Sequence, residues 1–581
     1  KVLKNNNLKS EYSLVYVIIV TFLFTTIIIP CVAGYLDAIG LLYIGFLMIL
    51  IYEDALSKKD IPNLLLTFFL LIVMSVTRRW YLFWLVAFFP SYFIAGIIRF
   101  ATDKSYTRKS LITLTINLTI IGVVYIGILY RFFKGFFQRS LFNNYSDVYS
   151  AYKWGGYTEN FNRTIFYLSI PVILISIIGI YTGIKNKASR LLSLVQLIQL
   201  AIILFLFFRI QSFSLQHYYL IAPTILFFLA MGFATIFVIP KWGKYISSVL
   251  ILLQLLSFTH TFTNWPSIRP NEVQSYLFPV TGFQISDRSD LKRIEALVEY
   301  LNSLSNNNRN KSVYILASSH IINDDILRNT NLPYDMNSMK GLCNNNCHVD
   351  KVHGFPQDLL GADIVVVADP IQYHLRPEDQ RVVGIPAEEI LSGRGIGKSY
   401  RLLKEFSIMN DIKLKVYEKI KPYSLGAIDS LLATFKSYYP EYPNLYSVNF
   451  YPAIIYDKKI TDGYSEIVFF NNYHSIYIHP GDSAPTSFKI GLDGQFSKIK
   501  LETSFKDPQQ IEKSCEGKGG EVFFKVYIDG ILKLDNYQTY RDTVNSELPV
   551  KGAKELKIEV DKAKNNASCD GFEIDNLELI K

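Results

Sequence analysis

Hydrophobic runs recur through the first 264 residues, and short polar loops separate them. The nine runs are near 14–33, 38–52, 62–77, 80–98, 110–130, 164–184, 191–208, 217–239 and 246–263. Several approach the roughly 20 residues that an α-helix needs to cross a bilayer core about 30 Å thick. The runs at 38–52 and 62–77 are short, and reach that length only if their flanking residues tilt or snorkel. The pattern predicts a polytopic α-helical membrane domain of about nine spans over residues 1–264.

A different pattern begins after residue 264. Residues 289–304 have the period of an amphipathic helix, and the apolar runs at 313–317, 363–368 and 413–419 are typical of buried strands. Strands that alternate with helical stretches predict an α/β domain over residues 265–440.

The last part of the chain shows the period-2 alternation of β-strands separated by turn signals. Asp-Gly pairs at 493–494 and 529–530 favour tight turns between strands. The pattern predicts a β-sandwich over residues 461–581. We interpret the Tyr- and Pro-rich stretch over 441–460 as a linker in front of it.

Charge is distributed unevenly between the two halves of the 581-residue chain, whose formal net charge is +9. Residues 1–264 hold 22 Lys and Arg against 8 Asp and Glu, whereas the remainder is net acidic. The basic residues concentrate in the loops after every second run, which predicts a multi-pass plasma-membrane protein with a cytoplasmic N-terminus. An odd number of spans then puts the α/β domain and the sandwich outside the cytoplasm. The charge pattern does not favour a nucleic-acid partner.

Four of the five cysteines lie in the predicted extracytoplasmic part, where disulfides are stable. Cys343 and Cys347 flank a short Asn run and are candidates for one disulfide, and Cys515 and Cys569 are candidates for another across the sandwich. The sequence does not fix the pairing. A zinc site formed by Cys343, Cys347 and a following histidine is an alternative, although the spacing is not a standard zinc pattern.

Charged and polar residues cluster in three turns that the predicted topology puts on the outer side of the membrane. They are Asp37 in GYLDAIGLL, Arg78 and Arg79 in TRRWYLFW, and Arg209, Gln216 and His217 in FRIQSFSLQHYY. Charged groups at membrane level are costly unless they are paired or functional. Because guanidinium forks suit phosphate groups, we expect this cluster to bind a lipid phosphate. Interfacial anchoring, helix capping and an aromatic belt are alternative roles for these residues.

The outer loop over 131–163 is a second candidate region. It begins with an amphipathic pattern of Phe and basic residues, which predicts an interfacial helix. Its later part is rich in aromatic and polar residues that suit sugars, and we select Asp147, Tyr149, Tyr152 and Trp154 as candidate sugar or acceptor contacts. A juxtamembrane helix followed by a solvated turn is the alternative interpretation.

One glycine-rich segment, SGRGIGKSY at 392–400, is similar to a phosphate-binding loop. A Walker A motif needs glycine where Ser392 stands, and the segment falls on the predicted outer side. We therefore interpret it as an ordinary glycine-rich loop and expect no nucleotide cofactor.

The membrane half resembles the GT-C superfamily of polytopic glycosyltransferases in its multispan layout and in the GYLDAIGLL, TRRWYLFW and QHYYLIAP stretches. The resemblance implies transfer of a sugar from a polyprenyl-phosphate-linked donor to a cell-surface glycan. It also implies that basic side chains or a divalent ion, Mg or Mn, handle the lipid phosphate.

The chain departs from the family pattern at its beginning. Family members carry a catalytic Asp or Glu in a long first outer loop, whereas the first outer turn here is the short 34–37. The chain also begins with Lys, so we expect two spans and the catalytic loop to precede it. The catalytic base is therefore unknown, and Asp37 is a candidate for a substrate or metal site.

The last 120 or so residues resemble the NPCBM family of carbohydrate-binding modules. The matching stretches are HP at 479–480, LDG at 492–494, EVFFKVYIDG at 521–530, VKGAKELKIEV at 550–560 and CDGFEIDNLEL at 569–579. The resemblance implies glycan binding, with Asp529 and Asp570 as candidate contacts. A structural sandwich without a ligand is the alternative.

The prediction from the whole sequence is a membrane glycosyltransferase whose partners are a polyprenyl-phosphate-linked sugar, a glycan acceptor and the lipid bilayer. A lipid-linked sugar flippase or transporter is one alternative, although charged residues lie at the edges of the runs and not within them. A membrane-anchored glycan-binding protein without catalytic activity is the other.

Overall fold

The computed structural model describes residues 15, 18–20, 23–32, 36–142, 144–263, 288–307, 311–330, 341–343, 346–442, 451–462, 465–470, 475–505, 520–563 and 567–581. The chain divides into two compact units, Lys1–Asp287 and Arg288–Lys581. Each unit has hydrophobic cores of its own.

The first unit is helical throughout its described residues. Its helices are α1 (Thr25–Val32), α2 (Ile39–Tyr52), α3 (Ile61–Thr77), α4 (Tyr81–Thr102), α5 (Arg108–Phe132), α6 (Lys134–Phe142), α7 (Tyr145–Val148), α8 (Tyr157–Leu168), α9 (Ile170–Lys185), α10 (Arg190–Ile210), α11 (Ala222–Phe237) and α12 (Gly243–Thr263). Short 3₁₀ helices at Leu36–Ala38 and Leu215–Leu220 precede α2 and α11.

The predicted count of nine spans is wrong for the described residues. Three helices, α4, α5 and α10, are long and apolar enough to cross a membrane by length and composition. The pair α8 and α9, bent by 94°, raises the number to four if it is one broken span. Fewer helices qualify than predicted because an apolar run does not always form a helix as long as a membrane span. The run at 38–52 forms the 14-residue α2, which is about 21 Å long at 1.5 Å per residue.

Close helix packing holds the first unit together. Tyr81, Trp84, Phe88 and Tyr92 follow one face of α4 and are each at most 1% exposed. Helices α9 and α11 approach through glycines, since a Cβ atom on Gly179 would overlap the carbonyl oxygen of Phe228. Small residues allow such close contacts between membrane-type helices.

The second unit begins with the predicted α/β domain. Its helices are α13 (Leu291–Asn307), α14 (Asp324–Arg328), α15 (Asp350–His353), α16 (Gln357–Gly361), α17 (Arg381–Ser392) and α18 (Leu425–Tyr438). Its strands are β1 (Val313–Leu316), β2 (Ile364–Asp369), β3 (Tyr400–Ser407) and β4 (Lys413–Lys419). The strand order is β1-β2-β4-β3, with β1 and β2 parallel and the other pairs antiparallel. Helices cover both faces of this sheet, and the strands β1 and β2 are almost entirely buried, as their apolar sequences predict.

The C-terminal β-sandwich is confirmed as two five-stranded sheets. A short helix, α19 (Tyr451–Ile454), leads into it. The strands are β5 (Ile455–Lys459), β6 (Glu466–Phe470), β7 (Ser475–His479), β8 (Thr486–Gly491), β9 (Lys498–Phe505), β10 (Glu521–Ile528), β11 (Ile531–Thr539), β12 (Val544–Pro549), β13 (Glu555–Lys562) and β14 (Phe572–Ile580). One sheet has the order β11-β10-β13-β8-β5 and the other β12-β9-β14-β7-β6. Inward residues alternate with outward ones along β10 and β13, which is the period-2 pattern of the sequence.

The stretch predicted as a linker takes part in the fold at its C-terminal end. Strand β5 lies within 441–460, and it pairs with β8 in the first sheet. Lys458 of β5 forms an ion pair with Asp363 of the α/β domain at 3.3 Å. The Nζ atom of Lys419, at the end of β4, donates to the carbonyl oxygens of Pro452 and Ala453. The α/β domain and the sandwich are therefore packed against each other.

The structure corrects one of the two predicted disulfides. Cys343 and Cys347 are free thiols. Burial raises the pKa of the Cys347 thiol to about 12, and the thiol donates a long hydrogen bond to the carbonyl oxygen of Phe355. Cys569 is disulfide-bonded, and Cys515, its predicted partner, lies outside the described residues.

Candidate functional site

One end of the helical unit brings two of the predicted turns into direct contact. Helix α3 ends at Thr77 and α4 begins at Tyr81, so Arg78 and Arg79 occupy the turn between them. The guanidinium Nε of Arg78 forms an ion pair with Asp37 in the 3₁₀ helix before α2. The Tyr81 hydroxyl donates to the carbonyl oxygen of Asp37 at 2.8 Å, so the same turn holds both the side chain and the backbone of Asp37.

Asp37 and Arg78 differ sharply in exposure. The Asp37 side chain is 5% exposed, whereas that of Arg78 is 57% exposed. Only Oδ1 of Asp37 is used by Arg78, and the buried Oδ2 has no hydrogen-bond partner among the described residues. A buried carboxylate oxygen without a partner is costly, and such a site favours a ligand that donates a hydrogen bond.

Within the described part of the chain, Arg79 contacts the loop over 131–163 and forms no ion pair with a carboxylate. Its guanidinium donates to the hydroxyls of Tyr145 and Tyr149, which lie on α7 and immediately after it. The guanidinium carbon also lies 4.5 Å from the centre of the Tyr145 ring and 5.5 Å from that of Tyr149. The partners of Arg79 among the described residues are phenols, which do not neutralise its positive charge, whereas Asp37 partly neutralises Arg78. Arg79 is therefore the stronger candidate for an anion.

The predicted sugar-contact loop packs between this turn and the end of α10. The rings of Tyr149 and Tyr152 are 5.9 Å apart, and the Tyr152 carbonyl accepts from the amide of Ser212 at 3.1 Å. Lys153 donates from Nζ to the carbonyl oxygen of Arg209 at 3.2 Å. The loop therefore connects the turn after α10 to the Arg79 turn, as the predicted clustering requires.

Three further candidates from the sequence, Trp154, Asp147 and Arg209, lie on or beside the same loop and the end of α10. Trp154 is 41% exposed, and its ring lies under the Arg163 guanidinium at 5.0 Å. Asp147 is half-exposed on α7, and Arg209 is exposed at the last turn of α10. Trp154 offers an open aromatic edge, but the structure records no contact between its side chain and Asp37 or Arg79.

His217 and Gln216 are held by their own turn. The His217 Nδ1 atom accepts from the amide of Ser214 at 3.1 Å, and the Ser214 hydroxyl donates to Gln216 Oε1 at 2.9 Å. The His217 ring also makes an edge contact with Trp80 at 5.8 Å between centres. These contacts give His217 a capping and packing role that links the turn before α11 to the Arg79 turn.

The described residues do not supply a preformed metal centre. They contain no group of three or more His, Cys, Asp or Glu side chains arranged to hold an ion. Asp37 offers one unpartnered oxygen, which is too few ligands for Mg or Mn without several further donors. The zinc alternative fails in the same part of the chain, because His353 accepts backbone amides at its Nδ1 and the His348 Nε2 lies 2.8 Å from Asp324.

The two acidic candidates in the sandwich have structural roles. Asp570 is 1% exposed, and its Oδ1 accepts from the amides of Gly520 at 2.6 Å and Glu521 at 3.2 Å. Burial raises the pKa of the Asp570 carboxyl, and the amide hydrogen bonds oppose that rise. This burial contradicts its assignment as a glycan contact. Asp529 is exposed in the turn between β10 and β11, where its Oδ1 accepts from the amides of Lys554 and Glu555 at 2.9 Å each.

The glycine-rich segment at 392–400 encloses a side chain of the protein itself. Glu389 on α17 accepts from the amide of Ile396 at 2.9 Å through Oε2. Gly395, at a φ of +48°, lies so close that a Cβ atom there would overlap this carboxylate. The position that an anion would take is therefore filled, which agrees with the interpretation of an ordinary loop.

Sequence reasoning missed three residues of the site: Tyr81, Tyr145 and Lys153. The spacing of Tyr145 and Tyr149 by four residues predicts that they share a helix face, and this signal could have paired them with an arginine. Nothing in the sequence indicates that Lys153 reaches the carbonyl oxygen of Arg209, because 56 residues separate them.

Comparisons with known proteins give only partial matches. No family model matches the chain, and no curated protein matches it. Six chains of solved structures do. The M60 catalytic domain with the CBM51-1 and CBM51-2 domains from Clostridium perfringens ZmpB is 19% identical, with a TM-score of 0.17. That match covers 21% of this chain and 14% of that one.

A second match is CBM51 from Clostridium perfringens GH95 in complex with methyl-galactose. It is 17% identical with a TM-score of 0.16, and the match covers 22% of this chain and 86% of that one. The CBM51-2 and INT domains of ZmpB in complex with GlcNAc are 18% identical over 22% of this chain and 27% of that one, with a TM-score of 0.16. The chain thus spans a small part of the length of the first matches.

Proposed function

We propose that the protein is a membrane glycosyltransferase that takes a sugar from a polyprenyl-phosphate-linked donor and attaches it to a cell-surface glycan. The observation that carries the proposal is the contact of Arg78 and Arg79 with Asp37, Tyr145 and Tyr149 at one end of the helical unit. Helices long and apolar enough to span a membrane begin or end at this site, which suits a substrate with a lipid tail.

In this proposal the two arginines bind the lipid phosphate. Transfer forms a bond between an acceptor hydroxyl oxygen and the anomeric carbon, and it breaks the bond between that carbon and the phosphate oxygen. Negative charge then develops on the departing lipid phosphate, and preorganised guanidinium donors stabilise such charge. Arg79 supplies the larger share because phenols are its recorded partners, and Lys153 adds a further positive charge beside the loop.

The outer loop covers the sugar in the same scheme. Tyr145, Tyr149 and Tyr152 form a row of rings with centre-to-centre distances of 6.0 Å and 5.9 Å, and aromatic faces suit the C–H faces of sugars. Asp37 holds Arg78 in place, and its unpartnered Oδ2 accepts a hydrogen bond from a sugar hydroxyl. The general base that takes the acceptor's proton is left unassigned.

The test is a transfer assay with radiolabelled polyprenyl-phosphate hexoses and the purified chain, extended by any upstream segment of the natural protein. Arg78→Ala combined with Arg79→Ala is expected to reduce kcat by about 10²-fold or more, the usual loss when charge-stabilising donors are removed. Arg139→Ala is the matched control, since Arg139 is exposed on α6 and donates to Gly135 of its own helix. Equal turnover in the double variant and the control would refute the phosphate assignment.

A membrane-anchored glycan-binding protein is the second candidate function. The observation that favours it is the number of helices able to span a membrane, which is three or four in the described residues and is closer to an anchor than nine. In that case the chain binds glycans but shows no turnover with any lipid-linked sugar. Glycan-dependent turnover that responds to the Arg78 and Arg79 variants would exclude it.

A further inference from the structure

The outward face of the first sandwich sheet carries an aromatic pair beside a row of charged residues. Phe523 on β10 is opposite Tyr537 on the edge strand β11 and Asp561 on β13. In the next row along the same strands, Lys525 on β10 is opposite Asp535 on β11 and Glu559 on β13. The two rows form one continuous surface, and we refer to Tyr537, Phe523, Asp561, Asp535 and Lys525 as the Tyr537 patch.

Tyr537 is exposed and Phe523 is half-buried on the outward face of the sheet, and neither belongs to the core of the sandwich. The Tyr537 side chain is 46% exposed, and its ring centre lies 5.5 Å from that of Phe523 at an angle of 53°. The inward residues Val522 and Phe524 on either side of Phe523 are at most 1% exposed and belong to the core. Phe523 and Tyr537 therefore pack on each other and leave an open apolar surface.

The neighbouring aromatic residue on β10 is not available in the same way. The ammonium of Lys557 lies 5.1 Å from the centre of the Tyr527 ring, and the Tyr527 hydroxyl donates to Glu559 at 3.5 Å. These contacts cover the face of Tyr527 and use its hydroxyl. Among the aromatic residues on the outward face of β10 and β11, Tyr537 and Phe523 are therefore the pair available to a ligand.

The size of the Tyr537 patch limits its ligand. Neighbouring strands lie about 4.8 Å apart, and every second residue lies about 6.7 Å further along a strand, so the patch covers roughly 10 Å by 7 Å. That area matches one or two sugar rings. An extended peptide or a second folded domain would need a larger surface to bind specifically.

The chemistry of the Tyr537 patch suits a neutral sugar. A pyranose ring has a C–H face that packs on aromatic rings and hydroxyls that both donate and accept hydrogen bonds. Asp561 and Asp535 supply acceptors beside the rings, and Lys525 supplies a donor between them. Because charges of both signs alternate, the patch has no strong preference for an anionic or a cationic partner.

We propose that the Tyr537 patch binds a sugar ring of the cell-surface glycan that both candidate functions require, and the inference rests on that proposed glycan binding. This position differs from Asp529 and Asp570, the two sequence candidates. The sheet face binds the ring through Phe523 and Tyr537, and the two aspartates and Lys525 fix its orientation.

The proposal is tested with the full chain in detergent by isothermal titration against methyl-galactose, N-acetylglucosamine and their disaccharides. Tyr537→Ala is expected to weaken the sugar that binds best by about tenfold, the usual scale for loss of an aromatic anchor. Tyr537→Phe keeps the ring and should retain affinity within about twofold. Tyr438→Ala is the matched control, because Tyr438 is 48% exposed but lies on α18 of the α/β domain. Unchanged thermal unfolding establishes that each variant is folded.

Three results would overturn the proposal in distinguishable ways. If Tyr537→Ala and the control bind the sugar equally, glycan binding stands but the patch is not the site. If wild type forms dimers that Tyr537→Ala dissociates, the patch is a self-association surface and not a sugar site. If the wild-type chain binds no member of the panel, both the patch and the proposed glycan binding fail, while the transfer assay still tests donor binding by Arg78 and Arg79.

Discussion

Lys419 gives the second unit a pH dependence that can be worked out from its surroundings. Its Nζ atom donates to the carbonyl oxygens of Leu360 at 2.9 Å and Ala453 at 3.0 Å, and it lies 4.2 Å from the centre of the Tyr423 ring. Burial lowers the pKa of Lys419 to about 7. The charge of Asp363 raises this pKa and the charge of Lys458 lowers it, and both effects are smaller than that of burial. The side chain therefore loses its proton in the folded state near neutral pH.

The sign of the effect follows from proton uptake. An unfolded lysine keeps its proton up to a pKa of about 10.5, so between pH 7 and pH 10 the unfolded state binds more protons than the folded state. Stability then rises with pH in that window, and it is flat for this group below pH 7. With these two pKa values the free energy of unfolding gains about 2 kcal/mol between pH 7 and pH 9.

The perturbation is Lys419→Met, which keeps the length of the side chain and removes the titrating group. The measurement is urea unfolding of the second unit in the full chain at several pH values from 6 to 9, for wild type and variant. The buried thiols of Cys343 and Cys347 make the free energy of unfolding fall with pH, which is opposite to the effect of Lys419. They are present in both proteins, so their contribution cancels in the difference between the two free energies of unfolding. The wild-type curve is expected to rise more steeply than the variant by about 2 kcal/mol over pH 7 to 9. Parallel curves would refute the reasoning.

Two further predictions concern packing. Gly179→Leu is expected to lower the thermal unfolding temperature of the helical unit, because any Cβ atom there meets the carbonyl oxygen of Phe228. Gly127→Leu, on the open face of α5, is the control. An equal fall in unfolding temperature for both variants would contradict the packing argument. A fragment over 461–581 should unfold at a lower temperature than one over 451–581, because it lacks β5 and leaves the edge of β8 unpaired. Equal unfolding temperatures of the two fragments would show that β5 does not stabilise the sandwich.

The sequence pattern predicted the water-soluble elements more accurately than the helical unit. Strands such as β10 and β13 have one buried face and one outward face, and their alternating side chains make that arrangement visible in the sequence. In the helical unit the apolar runs at 38–52 and 62–77 are real helices, but their lengths fall short of a span. An average over apolar residues does not locate the end of α2 at Tyr52 or the turn that follows it, where the φ of Asp54 is +52°.

The candidate site was predictable in its parts and not in its contacts. Asp37, Arg78 and Arg79 were identifiable because charged residues are rare in the short turns on the predicted outer side, and the structure joins Asp37 with Arg78. The partners of Arg79 were not identifiable, since Tyr145 and Tyr149 lie more than 60 residues away in the chain. The same limit explains the error at Cys343 and Cys347, because their short spacing permits a disulfide but does not show that both are free thiols in the structure.

The contacts around Lys419 also bear on how the sandwich presents a ligand. The ion pair of Lys458 with Asp363, the hydrogen bonds of Lys419 and the close approach of Gly491 to Pro422 all join the sandwich to the α/β domain. A module that hangs on a flexible linker samples many orientations, whereas these contacts hold the sandwich in one orientation relative to the α/β domain. A glycan bound on the Tyr537 patch would then be fixed relative to that domain as well. The α/β domain would then orient the bound glycan, and the carbonyl oxygens of Leu360 and Ala453, which accept from the Lys419 Nζ, compensate the burial of that lysine.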